Sequence, residues 1–409
     1  MVEARVRMRD QRMFLRFWVV RAGATSASQM LNLVMGWQMY ELTRSAWDLG
    51  LIGLVQFIPL LLVSLPAGQL ADRMHRGRIV ALCLAVQGLG VGLLLIASSQ
   101  DATSRALVLA VAALLGVARG VQMPAQQALV PLLVPPALLS RAMALSASAG
   151  QVAIMAGPAV GGVLLLAGAP AAYAGTLFLL ALAFGLAAVL RYEHIPAART
   201  PMSLDSLLAG ARFVWERKVL LGALSLDLFA VLLGGVTALL PMFARDVLQV
   251  GPAGLGMLRA APAVGAVVMA VLLARVSLTR RVGARMMGAV VIYAAAMGVF
   301  GLSSVLWLSM CALAVSGAAD MVSVVVRHTL VQAETPDEMR GRVGAVNAMF
   351  LGASNQLGEF ESGATAAVMG PVGSVVFGAV ATLCIAAAWL RLFPQLVRRD
   401  RFTTEPPPT

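Results

Sequence analysis

Apolar runs of about twenty residues, each closed by a short cluster of Arg, Asp, Gly or Pro, recur from Phe17 almost to the end of the chain. Within most runs no polar residue returns every three or four positions, so a helix built from them is apolar all round and needs an apolar medium on every side. About twenty residues at roughly 1.5 Å each also cross a hydrocarbon core about 30 Å thick. The pattern predicts twelve transmembrane spans near residues 17–43, 49–71, 79–99, 105–127, 140–168 and 170–190, then 219–247, 252–275, 284–303, 305–333, 340–368 and 371–392. The longest polar interruption, from Arg191 to Lys218, divides them into two sets of six. The expected organisation is an N-terminal bundle over 1–190, a cytoplasmic linker over 191–218, a C-terminal bundle over 219–396 and a cytoplasmic tail over 397–409. The end of the linker, Ser203 to Trp215, reads as an amphipathic helix lying on the membrane surface.

Composition strengthens this all-helical membrane reading. The 409 residues are 60% hydrophobic and 12% charged, with mean hydropathy +0.86, about half the charged fraction of an ordinary soluble domain. The net charge of +12 invites a nucleic-acid partner only until the arginines are placed. Arg73, Arg76, Arg78, Arg141, Arg280, Arg281, Arg340 and Arg342 follow even-numbered spans, whereas connections after odd-numbered spans hold little beyond Arg44, Arg105 and Arg245. That alternation puts both termini in the cytoplasm of a bacterial inner membrane and leaves no basic face for nucleic acid. Cys83, Cys311 and Cys384 lie inside apolar runs, so neither a disulfide framework nor a metal site is expected, and nothing points to a cofactor.

Three segments carry a family resemblance. Gly68-Gln-Leu-Ala-Asp-Arg-Met-His-Arg-Gly-Arg, after the second span, resembles the signature that major facilitator superfamily transporters carry between helices two and three, with Gly68, Asp72, Arg73, Arg76 and Arg78 matching and His75 replacing a glycine. Gly157, Pro158, Gly161 and Gly162 in span five resemble the antiporter signature of the superfamily's exporters, in which two further glycines are here alanine, Ala144 and Ala153. Gly317 to Arg327, Thr335 to Val343 and Ser354 to Glu361, together with Gly36 to Thr43, are similar to the branch that includes the enterobactin exporter. The resemblance implies two pseudo-symmetric six-helix bundles, a latch at the Gly68 segment and ion-coupled export of a siderophore, drug or amphipathic metabolite by a monomer in the bilayer. An importer of a small solute is the rival reading.

The intramembrane charges are the candidate machinery. An ionisable side chain at the bilayer centre costs about 2.5–3.5 kcal/mol on insertion scales, so each needs a partner or a wet cavity. Asp227, Asp320, Arg327 and Glu359 in the second half, and Arg119 in the first, are the proton-coupling candidates. Asp320 or Glu359 is expected to carry the proton with Arg327 as charge partner, because Asp320 and Arg327 lie two turns apart on one helix face. Asn355, Trp37 and Gln38 are candidates for a substrate cavity. No Gly-x4-Gly-Lys-Ser/Thr, His-Glu-x-x-His or Gly-x-Ser-x-Gly motif is present, so neither ATP-driven transport nor an embedded hydrolase is indicated.

Overall fold

The structure is a computed structural model that describes residues 11–190, 204–276, 280–336 and 338–402, and within these the side chains of 64–73, 204–207 and 345 are left aside. All regular structure among the described residues is helical. The first half forms α1 (Arg12–Thr43), α2 (Ala46–Arg73), α3 (Arg76–Ser99), α4 (Arg105–Leu129), α5 (Leu139–Leu165) and α6 (Ala169–Ala188). The linker helix α7 (Leu204–Glu216) follows, then α8 (Lys218–Gly234), the single turn α9 (Leu240–Met242), α10 (Gly251–Arg275), α11 (Val282–Leu302), α12 (Leu306–Glu334), α13 (Arg340–Leu392) and the short α14 (Pro394–Val397). Among the described residues, ten segments are long and apolar enough to cross a membrane. One of them, α13, is two helices joined at Gly370, whose φ of 75° is open to glycine and closed to most side chains. The 32-residue α1 is longer than most of these but is not among the ten.

The chain divides into two compact units, one of Met1–Arg44, Val55–Met202 and Pro252–Ala260, the other of Ser45–Leu54, Ser203–Gly251 and Ala261–Thr409. In the first unit α1 packs on α5 and α6, and α3 on α4 and α6. The buried stripe of α1 is Phe14, Phe17, Val20, Ala24, Ala27, Leu31 and Val34, returning every three or four residues as a packed helix face requires. Leu82, Leu89, Leu93 and Ile96 line the outer side of α3, and Leu89 is 70% exposed. An apolar stripe of this size is stable when its surroundings are hydrocarbon.

In the second unit α8, α11, α12 and α13 enclose a core of Ala223, Leu226, Met286, Val290, Val326 and Leu330. The indole of Trp389 closes it by donating to the Gly222 carbonyl at 3.0 Å. The amphipathic linker helix forms as expected. It seats Val214 inward, Gly210 against the Arg342 backbone, and leaves Leu208 and Trp215 exposed. The tail is packed as far as Phe402: the carbonyls of Arg399 and Asp400 and the Asp400 carboxylate accept from the backbone N–H groups of Gly283, Val282 and Arg281, supplying partners at the start of α11. The proline-rich end, Pro406 to Pro408, lies outside the described residues.

One expected element is different. The seventh span is not a continuous helix over 219–247. It stops at Gly234, passes through extended Gly235, and resumes as a 3₁₀ turn at Thr237–Leu239, α9 and a π-helical turn at Phe243–Val247. Adjacent glycines give the backbone the freedom to unwind, and the freed carbonyls find partners: Tyr293 Oη donates to Gly234 O at 2.9 Å and Ser362 Oγ donates to Gly235 O.

Candidate functional site

The break in the seventh span opens onto a cavity of about 200 Å³ within the second unit. Its polar wall consists of Thr237 beside the break, Tyr293 from α11, Asp320 from α12, and Asn355 and Glu359 from α13. Asn355 and Glu359 are four residues apart and line the same wall, as helical spacing requires. The approach of α12 to α10 fixes the depth of Asp320. A Cβ on Gly317 would lie 1.9 Å from Pro262 O, and one on Gly265 1.8 Å from Ala314 O, so only glycine lets these two backbones touch. Asp320 stands one turn beyond that crossing.

Beside it, toward Ser323 along α12, lies a much smaller cavity of about 10 Å³, walled by Asp227, Tyr293, Asp320 and Ser323 with small alanine and valine neighbours. Asp320 and Tyr293 therefore border both cavities. One turn past Ser323, Arg327, 1% exposed, forms a salt bridge with Asp227 of α8. This corrects the expected pairing of Arg327 with Asp320. Seven residues along a helix is a rise of about 10 Å, so a shared face does not bring the two charges together. The guanidinium instead reaches sideways to the neighbouring helix.

The first unit repeats the construction with the opposite charge. Glycine again brings two helices together, since a Cβ on Gly116 would lie 2.2 Å from Gln56 O and one on Gly120 2.9 Å from Leu60 O. Arg119 follows Gly116 by one turn, as Asp320 follows Gly317. Its guanidinium donates to Gln56 Oε1 at 2.9 Å, Asn32 Oδ1 at 3.1 Å and Ser28 O at 3.5 Å. Gln122, one turn further, accepts from Gln87 at 2.5 Å in a buried pair.

Other candidates fall elsewhere. Gln38 donates to Ser98 Oγ and Thr103 Oγ1, both at 3.1 Å, and accepts from Tyr173 Oη at 2.6 Å. Its amide is engaged in tying α1 to α6 and the α3–α4 connection, and does not line the cavity described above. Trp37 is buried beside it. Gly157, Gly161 and Gly162 are packing positions: added Cβ atoms would meet Ser26 O and Gln29 Cβ at 2.8 Å, Met30 Cα at 3.4 Å, and Gly256 Cα and Pro252 O at 2.8 Å. Pro158 lies buried within the same stretch of α5. In the latch segment, Arg76 donates to Ala128 O at 3.1 Å and Arg78 is exposed, while the side chains of Gly68, Asp72 and Arg73 lie outside those described. Tyr293, Ser323 and Gln56 do not stand out in the sequence. A lone hydroxyl or amide in an apolar run gives no spacing signal, although the Gly234-Gly235 pair ahead of Pro241 does mark the break.

The transmembrane secretion effector family of the major facilitator superfamily matches residues 8–405. The enterobactin exporter EntS of Shigella boydii serotype 18 is 29% identical over 392 residues, covering 92% of this chain and 90% of that protein. EntS of Citrobacter koseri is 29% identical over 393 residues, covering 93% and 90%. Among solved structures, a bacterial homolog of the human lysosomal transporter Spinster, in an inward-facing and unoccupied conformation, aligns with a TM-score of 0.73 at 15% identity, covering 96% of this chain and 98% of that one. A bacterial homologue of the iron transporter ferroportin aligns with a TM-score of 0.70 at 14% identity, covering 95% and 99%. With spans, broken helix and paired charges in place, the chain is a multi-pass membrane transporter, not an enzyme, and belongs to the transmembrane secretion effector family of the major facilitator superfamily.

Proposed function

We propose that this transporter exports a small amphipathic molecule, of the siderophore or drug class, in exchange for protons. The observation that carries the reading is the polar cavity of the second unit, where Asp320 and Glu359 line a wall interrupted by a broken helix. A carboxylate there is charged when the cavity is wet and favours the proton when water leaves, which couples occupancy to protonation. The unwound backbone at Gly235 is of the kind that substrate and ion sites use at membrane depth. Similarity to enterobactin exporters along nearly the whole chain supports the outward direction.

On this reading the protein works as a monomer in a bacterial inner membrane with both termini in the cytoplasm, moving one solute and protons through alternating access. Direction is tested with paired vesicles carrying a panel of labelled siderophores and amphipathic drugs. An exporter accumulates its substrate in everted vesicles energised to be acidic inside. Accumulation confined to right-side-out vesicles under an inward proton gradient would make the chain an importer.

A further inference from the structure

The small cavity between Asp227 and Asp320 has no part in the substrate-binding role just described, yet its walls are those of a site. Asp320, Ser323 and Arg327 fall at positions i, i+3 and i+7 of α12 and so form one stripe. Ser323, 4% exposed, borders the cavity with a hydroxyl that has no hydrogen-bond partner. Arg327 Nε and Nη2 behind it are likewise buried and unpartnered, although Nη1 holds Asp227. Each such buried polar group is destabilising unless something satisfies it. The cavity volume of about 10 Å³ is that of one water centre, and two to four polar partners are what a buried water needs. Asp227, Asp320, Ser323 and the Tyr293 oxygen, whose proton is given to Gly234 O, supply them.

We infer that a single bound water bridges Asp320 to the Asp227–Arg327 salt bridge and relays a proton between the two carboxylates. The step balances: protonated Asp320 gives its proton to the water oxygen while that water gives another to Asp227, leaving Asp320 ionised, the water intact and Asp227 neutral. A neutral Asp227 no longer holds Arg327 by charge, so the link between α8 and α12 loosens. The large cavity thus loads Asp320, and the small one passes the proton to the ion pair that joins two helices. The groups facing this path are Asp227 on α8, Tyr293 on α11, Asp320 and Arg327 on α12, and Glu359 on α13 across the larger cavity.

The relay rests on the proton-coupled reading, but its test needs no transport. Infrared difference spectra of the full-length protein in lipid nanodiscs, without substrate, are recorded during a pH titration in ordinary and ¹⁸O-labelled water. The Asp320 carboxyl band is assigned by its loss in Asp320→Asn. Two results are expected: a water O–H band that shifts with ¹⁸O in the parent and is lost in Ser323→Val, which fills the cavity; and an Asp320 midpoint displaced by about one pH unit in Asp227→Asn, as coupled sites require. Water bands identical in the parent and Ser323→Val overturn the proposal, and so does an Asp320 midpoint indifferent to Asp227→Asn or one that follows sodium concentration at constant ionic strength. If Asp227→Asn fails to fold, the isotope comparison in Ser323→Val decides alone. A relay that passes while vesicles show no proton-driven export refutes the export reading only; the reverse refutes the relay only.

Discussion

Arg327 and Asp227 hold charges in a part of the molecule with almost no solvent, and each is tolerable because of the other. Removing one partner strands a buried charge, which costs about 3–5 kcal/mol, whereas replacing both by apolar groups of similar size is close to neutral. Arg327→Met and Asp227→Leu should therefore each lower the thermal unfolding temperature of the purified protein, and the double variant should recover most of the loss. If the double variant fell by the sum of the singles, the salt bridge would be independent contacts rather than a pair. Asp227, Asp320 and Arg327 stand out in the sequence as charges in apolar runs, so their importance is legible, but partner choice depends on the lateral distance between α8 and α12, which no spacing within α12 encodes.

Helix against helix, the small residues decide. Gly162, Gly265 and Gly317 sit where a side chain would strike the backbone of a neighbouring helix, and backbone has little room to give. Gly317→Val and Gly162→Val should sharply reduce folded protein in the membrane, as read by fluorescence-detected gel filtration, while Gly92→Ala, with nothing within 4 Å of its added Cβ, should be indistinguishable from the parent. Equal behaviour of all three would mean that these crossings do not depend on glycine. Element positions were readable from hydrophobic runs alone because lipid imposes one length on every span. The seventh span was the exception: its apolar run continues through the break, and hydropathy does not register where a backbone unwinds. The cavity wall depends on that break, so a central feature of the site is invisible to hydropathy and marked in the sequence only by the Gly234-Gly235 pair.

For the whole molecule, alternating arginine-rich connections set the expected topology. An impermeant thiol reagent should label Asp101→Cys in intact cells of a cysteine-free background and His194→Cys only after the membrane is opened; the opposite pattern would invert the protein. The two units share a local design, a glycine crossing followed one turn later by a charge, basic at Arg119 and acidic at Asp320. Evidence for the internal repeat in the sequence was a weak echo between connections, since the repeat survives in backbone approach more than in residue identity. The division of labour this suggests has the acidic unit handling protons, and it leads to one measurement: substrate-driven proton release from everted vesicles containing the parent protein or Asp320→Asn. The account predicts proton release by the parent for every substrate it exports, and in Asp320→Asn substrate exchange without proton release. Full proton release by Asp320→Asn would contradict it.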